Sequence, residues 1–430
     1  MATNTQRITA LEKDVAALKK AVGALQPVPA PLPTTTHTPA PTPVPVPPAP
    51  TPTPTPVPAP TPAPTTTPGV AKTAAELIAA RLVPPYNKAN VRGTGHAAMV
   101  KGYTPGVWPY TPDMTNTGER DEIGPVTAQC AEWLIGGSLD NMLNMSRSHS
   151  ALPVHFRVGG KRVDFTSYPR AGCAMGDCNP LLTIASPYYA EQGHYPGCNL
   201  VPYLATGDNF YLEELKDAAT FHLMRMNPDY RGESKGLIER GQVRTYAWGL
   251  RDIATLVMVT DDPYWKAILE NNRVEFNTRF VKSAIAINKL GFITDDYAEG
   301  DSTHVSPWQA DFLSFVMGWM VYSGKFPEWR ENYEWTCKQL LMRANGTDGF
   351  PKTKALGYWW QSKGAGTGAQ LAQINGLTEG TSLNASYDVS YTAYFRGALK
   401  LAALNGVTGA QAGFNWVDPQ VTWIPPKWSV

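Results

Sequence analysis

The sequence predicts a mostly α-helical protein in which an α/α-toroid head, with a small β-hairpin insertion, follows an N-terminal parallel coiled coil and a polyproline II linker. Three observations predict this layout: a heptad pattern over residues 1–26, a proline-rich stretch over 27–69, and repeated pairs of helical patterns over 70–430. Nearly half of the 39 prolines lie in the second segment, whereas all 13 tryptophans lie after residue 100. The composition therefore indicates separate structural parts.

Apolar residues in the first segment repeat with alternating spacings of three and four residues. They occupy the a and d positions of a heptad, namely Ile8, Leu11, Val15, Leu18, Val22 and Leu25. Arg7 can reach Glu12 of a neighbouring chain and Asp14 can reach Lys19, which favours a parallel homo-oligomer, a dimer or a trimer. A single amphipathic helix packed on a domain is the alternative. So short a coil is marginal alone in water, which indicates that this segment docks on a partner protein.

The second segment reads as Thr-Pro and Ala-Pro repeats without glycine. Proline fixes φ and disfavours helix in the residue before it, so the segment is driven into polyproline II. At about 3.1 Å per residue it spans on the order of 130 Å. A disordered tether is the alternative, and the absence of glycine favours the semi-rigid spacer.

The third segment contains helical patterns that pair through short turns. The patterns cover 126–145, then 199–205 with 209–225, 242–259 with 263–280, 307–322 with 328–344, and finally 387–404. In the later pairs, the first helix has apolar residues on nearly all of its faces, which indicates burial on several sides. Short turns make neighbouring helices antiparallel, and repeated hairpins with a buried first helix predict an α/α toroid. One insertion, 154–165 with Gly159-Gly160 at its turn, predicts a β-hairpin.

Three stretches of the head carry a resemblance to known proteins. They read GHYPGCNLVPYLATGDNFYLEEL, GQVRTYAWGLRDIATL and SPWQADFLSFVMGWMVYSG. They resemble α/α-toroid domains of the six-hairpin type, which occur in glycoside hydrolases, polysaccharide lyases and uncharacterised phage and bacterial proteins. The order of coil, spacer and large head resembles a tailed-phage virion fibre or appendage. This resemblance implies a location on the surface of the virion, attachment to other virion proteins through the N-terminal segment, and a host surface polysaccharide as the ligand.

In a toroid the first turns of the buried helices converge on one cleft. The candidate glycan-binding residues at those turns and in nearby loops are His194, Arg244, Trp248, Arg251, Trp308, Trp359, Trp360 and Tyr391. Gln242, His304 and Tyr387 lie at the same helix starts. Tryptophan and tyrosine faces stack on sugar rings, and arginine or histidine binds acidic sugars. The alternatives stay open: Trp248 and Trp308 as core residues, Arg251 as a buried structural partner, and Trp359-Trp360 as a plug at the domain edge. His149, His155 and Arg157 flank the predicted hairpin.

Catalysis would need further groups in that cleft. Asp388, His304, Asp296 and Tyr297 are the candidates. A glycoside hydrolase uses two carboxylates about 5–10 Å apart, and a lyase uses a base such as tyrosine or histidine. The acidic loop 295–301 has the alternatives of a solvated loop or a loose calcium site, and it lacks the EF-hand spacing. We predict a binding protein first and a polysaccharide-cleaving enzyme as the alternative.

The five cysteines, an odd number, leave at least one without a partner in the chain. Cys173, Cys178 and Cys198 are disulfide candidates, and the same thiols with His194 are the alternative of a zinc site. Free thiols are the third possibility. No phosphate-binding loop or metalloprotease motif is present, so we expect no cofactor. The net charge of +1 predicts no nucleic-acid partner, and we expect no membrane insertion because no apolar run is long enough.

Overall fold

The computed structural model describes residues 72–94, 102–110, 124–174, 177–178, 188, 190–238, 242–294, 303–378 and 389–430. The side chains of the strand residues in 173–178 and of residues 389–390 are outside this description. All described residues belong to one unit, Pro64–Val430. The coiled-coil and linker predictions lie outside the described residues, as do the candidates Asp296, Tyr297, Tyr387 and Asp388.

The described part of the chain is mostly helical. The first helices are α1 (Ala74–Ala79), α2 (Ala128–Leu134), α3 (Leu139–Ser148), α4 (Leu200–Thr206), α5 (Asn209–Met224) and α6 (Pro228–Arg231). The later ones are α7 (Val243–Thr260), α8 (Pro263–Phe276), α9 (Pro307–Tyr322), α10 (Arg330–Asn345), α11 (Gly368–Ile374), α12 (Val389–Leu404) and α13 (Ala410–Val417). The prediction of a mostly α-helical protein is confirmed, and so are the three helical pairs α4–α5, α7–α8 and α9–α10. No helix of this described part is long and apolar enough to cross a membrane.

The predicted helix over 126–145 is wrong in its continuity. The structure has two helices there, α2 and α3, because Gly136 adopts a positive φ of 102° and the Ser138 side chain caps the start of α3. Similarly, α8 ends at Phe276, and a π-helical turn over Asn277–Val281 takes up the remainder of the predicted span. Both errors arise where a local turn competes with a continuous apolar pattern.

Three of the long helices, α7, α9 and α12, run parallel with their starts at the same end. Trp248 of α7 lies 4.5 Å from Phe312 of α9 between ring centroids, and Phe312 lies 4.7 Å from Tyr394 of α12. Each of α7 and α9 is followed by an antiparallel helix. For α7 this orientation is shown by the contact of its start with the end of α8, through Tyr246 and Phe276. Almost every side chain of α7 and α9 is buried. These helices therefore build the main core.

Within the part of the chain that the structure describes, three antiparallel pairs of short strands accompany the helices. β1 (Arg157–Val158) pairs with β2 (Lys161–Arg162), β3 (Cys173–Ala174) with β4 (Asp177–Cys178), and β5 (His304–Val305) with β6 (Trp360–Gln361). The first pair confirms the predicted β-hairpin. Its turn is Gly159-Gly160, both with positive φ, as a two-residue hairpin turn requires. The third pair joins two distant loops, and it was not predicted.

Candidate functional site

The first turns of α7, α9 and α12 meet at one end of the helical core. The guanidinium of Arg244 lies 5.4 Å from the ring centroid of Trp308, and the Trp308 and Tyr391 rings stack with centroids 5.1 Å apart. These three residues come from three separate helices, and the sequence placed each of them at a helix start. The structure therefore brings together three of the predicted site residues, each of them largely buried.

Tyr358 covers this group from the loop before β6. Its ring centroid lies 5.7 Å from that of Trp308 and 6.4 Å from that of Tyr391. Tyr358 is 37% exposed, so one side of the aromatic group reaches solvent. Sequence reasoning missed this residue, although its position next to Trp359-Trp360 was a signal that could have found it.

The pairing of β5 with β6 brings His304 under Trp359. The two rings stack with centroids 3.7 Å apart and an interplanar angle of 22°, and Trp359 is 39% exposed. Trp360 points the other way, because successive strand residues alternate between faces. It is buried against Phe292 and Phe350. The predicted glycan-binding role therefore suits Trp359, and Trp360 is corrected to a core residue.

We call the group of Arg244, His304, Trp308, Tyr358, Trp359 and Tyr391 the aromatic site. Its two exposed rings, Tyr358 and Trp359, are neighbours in sequence and rest on buried rings below them. Exposed aromatic faces with a rigid base bind flat apolar surfaces at a small cost in side-chain entropy. The buried members hold the exposed pair in place.

A polar group borders Arg244. The Arg244 Nε donates to Gln242 Oε1 at 2.7 Å, and the Glu191 carboxylate contacts His194 Nδ1 at 2.6 Å. Burial disfavours the ionised form of Glu191, but its hydrogen bonds with His194 and Gly193, together with the Arg244 charge, lower its pKa overall. A carboxylate with a lowered pKa accepts hydrogen bonds and is a poor general acid. His194 is buried and serves this polar group.

Trp248 and Arg251 do not reach a surface. Both are almost fully buried, and the Arg251 guanidinium lies 4.8 Å from the Trp248 ring centroid. Arg251 Nε donates to Asp252 Oδ1 at 2.8 Å, and Arg251 also donates to the carbonyl oxygen of Tyr195. The predicted glycan-binding role of these two residues is corrected, because they are more than one turn inside a helix that is buried on all sides.

A groove of about 450 Å³ lies near the opposite ends of these helices. Its lining mixes charges of both signs, such as Lys266, Glu270, Lys325 and Glu328, with apolar atoms of α7 and α8. It presents no exposed aromatic pair among the described residues that line it. We therefore assign the candidate site to the aromatic end.

The structure places the three candidate cysteines in different settings. Cys173 and Cys178 lie opposite each other in the register of β3 and β4. Cys198 is a buried free thiol whose pKa is raised by burial. Cys198 is therefore removed from the disulfide prediction, whereas pairing of Cys173 with Cys178 and the alternative of a zinc site stay predictions.

The fold and the site define the class of this protein as a mostly helical domain with an exposed aromatic pair above a buried aromatic and basic layer. No protein-family model, no curated protein and no solved structure matches the chain. Its function is therefore inferred from the residues themselves.

Proposed function

We propose that this chain is a bacteriophage virion fibre or appendage protein whose head binds a host surface glycan at the aromatic site. The exposed Tyr358–Trp359 pair is the observation that carries the proposal. Sugar rings present apolar C–H faces, and tryptophan and tyrosine combine a large apolar face with a polar edge. The neighbouring Glu191 carboxylate is an acceptor for sugar hydroxyl groups.

The architecture adds a reason for the location. The common starting end of α7, α9 and α12, each of the first two followed by an antiparallel helix, supports an α/α-toroid head with its cleft at that end. The proposed spacer of residues 27–69 would hold this head on the order of 130 Å from the N-terminal segment. Such a distance serves a protein that is attached to a particle and reaches for a surface.

Replacing Trp359 with alanine is expected to weaken glycan binding by about 30-fold, which corresponds to about 2 kcal/mol for a central aromatic contact. Binding is measured on an array of host capsular and lipopolysaccharide saccharides, followed by titration of the best ligand. Tyr230→Ala is the matched control, because Tyr230 is an exposed aromatic residue outside the aromatic site. The control variant should bind as the unchanged protein does.

Equal binding by the Trp359→Ala and Tyr230→Ala variants would remove the aromatic site from the proposal. The alternative function, a glycoside hydrolase or polysaccharide lyase carried on the virion, has a separate readout. Release of reducing ends or of unsaturated uronate from the same polysaccharides, abolished by Asp388→Ala or His304→Ala, would establish the enzyme.

The proposed coiled coil has its own test, on the full chain. The double substitution Leu11→Asp and Leu18→Asp introduces charges at two d positions and is expected to convert the oligomer to a monomer. Ala10→Asp with Ala17→Asp is the matched control, since these residues occupy c positions on the outer face of the same heptads. Sedimentation equilibrium measures the stoichiometry. A monomeric unchanged chain at micromolar concentration would contradict independent oligomerisation.

A further inference from the structure

Two histidines and a glutamate meet between the hairpin and α5, away from the residues of the aromatic site. His149 lies in the turn after α3, His155 in the segment that enters β1, and Glu214 on α5. One ligand atom from each residue, a ring nitrogen or a carboxylate oxygen, lies within 4.8 Å of the other two. We call these three residues the His–Glu cluster. His149 and Glu214 are buried, whereas the His155 side chain is 24% exposed.

The hydrogen bonds of His155 define the role of each ring nitrogen. Its Nδ1 lies 3.1 Å from the carbonyl oxygen of Leu152, which can only accept, so Nδ1 carries a hydrogen. Its Nε2 lies 3.0 Å from both carboxylate oxygens of Glu214, which also only accept when ionised. In the neutral ring, the Nε2 lone pair would therefore face two anionic oxygens. A cation has to lie there, either a proton or a metal ion.

His149 also places a ring nitrogen against the Glu214 carboxylate, so a proton or a metal ion has to lie between them as well. Its Nδ1 lies 2.6 Å from Glu214 Oε2, and its Nε2 lies 2.5 Å from the hydroxyl oxygen of Tyr195. The Tyr195 hydroxyl can donate to the ring or accept from it, so it serves either tautomer of His149. Nδ1 is therefore able to become a ligand atom without leaving Nε2 unsatisfied.

The two arginines of the hairpin pair with Asp217 on α5, and Glu214 contacts the histidines. Arg157 makes a two-pronged contact with Asp217 at 2.6 and 2.7 Å, and Arg162 Nε donates to the same carboxylate at 2.7 Å. The Glu214 carboxylate instead faces the two histidines, with Oε2 2.6 Å from His149 Nδ1 and both oxygens 3.0 Å from His155 Nε2. Its oxygens are therefore placed beside the histidine nitrogens as ligand atoms.

We propose that His149 Nδ1, His155 Nε2 and the Glu214 carboxylate bind a divalent first-row transition ion, with zinc as the best fit. Two histidines and one glutamate are a known donor set for zinc with an open fourth position. Metal-binding histidines usually donate their other N–H to a carbonyl or similar acceptor, and Leu152 and Tyr195 supply these acceptors here. The partly exposed His155 ring offers the entry path. Bound metal would join the hairpin to α3 and α5.

The test uses the full chain, stripped with a chelator and titrated with Zn²⁺ by calorimetry, with bound zinc counted by elemental analysis. Glu214→Gln and His155→Asn are each expected to remove one zinc equivalent. Loss of a residue that only hydrogen-bonds to a ligand lowers metal affinity by up to about 100-fold, so loss of a direct ligand should lower it further. Tyr195→Phe should weaken binding by about 10- to 100-fold while retaining the stoichiometry. Glu213→Gln is the matched control, because Glu213 is the adjacent carboxylate on α5 and pairs with Arg162 and Lys216.

Co²⁺ provides a second readout, because His-bound tetrahedral cobalt absorbs visible light and the signal should vanish in both ligand variants. His155→Asn changes a partly exposed side chain, so it reports on the site even where Glu214→Gln fails to fold. The proposal is overturned if the unchanged chain and both ligand variants bind the same number of zinc ions, or if the unchanged chain binds none. In that case the cation between His155 and Glu214 is a proton. Neither outcome depends on glycan binding.

Discussion

Replacing Asp311 with alanine is expected to lower the free energy of unfolding by about 3–5 kcal/mol, because it leaves a buried arginine without its counter-charge. Asp311 on α9 and Arg343 on α10 form a fully buried ion pair. Arg343 also donates to the carbonyl oxygen of Ala355 at 2.9 Å and lies 4.3 Å from the Phe395 ring centroid. Its guanidinium therefore has no route to water when Asp311 is removed.

The pKa directions agree with this assignment. Desolvation raises the pKa of Asp311 despite the neighbouring Arg343, and desolvation lowers the pKa of Arg343 despite Asp311. Burial therefore disfavours both charges, and each partner offsets part of that cost for the other. The pair connects a buried helix to its antiparallel neighbour, so its loss should affect the whole helical core.

Urea unfolding followed by tryptophan fluorescence measures this effect, and all 13 tryptophans lie after residue 100, so the signal reports on the head. Glu334→Ala is the matched control, since Glu334 on α10 pairs with Arg330 at the surface. An exposed pair of this kind contributes about 0.3–0.5 kcal/mol. If the Asp311→Ala variant is as stable as the Glu334→Ala variant, Arg343 either reaches water or pairs with another group after the substitution.

The helices could be predicted from the sequence because the apolar period and the turn residues are local signals. Asp208 and Asp262 cap α5 and α8 through their side chains, and aspartate is a common local signal for a helix start. Asp311 is the single carboxylate of the apolar helix α9, and a buried carboxylate needs a partner. Its partner lies on another helix, however, and nothing in the sequence selects Arg343 from the other arginines of the head.

The aromatic site divides in the same way. Arg244, Trp308 and Tyr391 could be predicted because helix starts converge when buried helices run parallel. Tyr358 was missed: its place beside Trp359-Trp360 was a signal, but its contact with Trp308 depends on the tertiary pairing of β5 with β6. The opposite exposures of Trp359 and Trp360 also follow from that pairing.

The His–Glu cluster shows a further limit of the sequence. His149, His155 and Glu214 have no short ligand spacing that a motif would reveal. They meet because the β1–β2 hairpin folds onto α5. The sequence shows that His149 and His155 flank the hairpin. Only the packing of the hairpin brings them to the Glu214 carboxylate, which is 59 residues from His155 in the chain.

The segment at the C-terminal end of the described chain packs into the middle of the core. Trp428 is fully buried, and its ring centroid lies 5.3 Å from Phe312, 5.2 Å from Phe315 and 4.2 Å from Tyr394. The backbone of this segment is tied to an early one, since Arg92 and Ile424 exchange two backbone hydrogen bonds. Trp428 therefore joins α9 to α12 from a position that is distant in sequence.

Replacing Trp428 with alanine is expected to lower the free energy of unfolding by about 3–5 kcal/mol, because the large cavity left between α9 and α12 cannot close fully. The same urea experiment measures it. Trp359→Ala is the control: it removes an equally large ring, but a partly exposed one, and the change should stay within about 0.5 kcal/mol unless stacking on His304 adds to stability.

The Trp428→Ala and Trp359→Ala variants should differ in which property they lose, the first losing stability and the second losing glycan binding. Phe312 contacts both Trp428 and Trp308, with ring centroids 5.3 and 5.6 Å apart respectively, so Trp428 supports the base of the aromatic site through one intermediate ring. Under conditions where it remains folded, the Trp428→Ala variant should keep most of its glycan binding, whereas Trp359→Ala should lose binding and keep stability. Equal losses of both properties in the two variants would mean that the exposed ring is a structural element, and glycan recognition would have to lie elsewhere on the head.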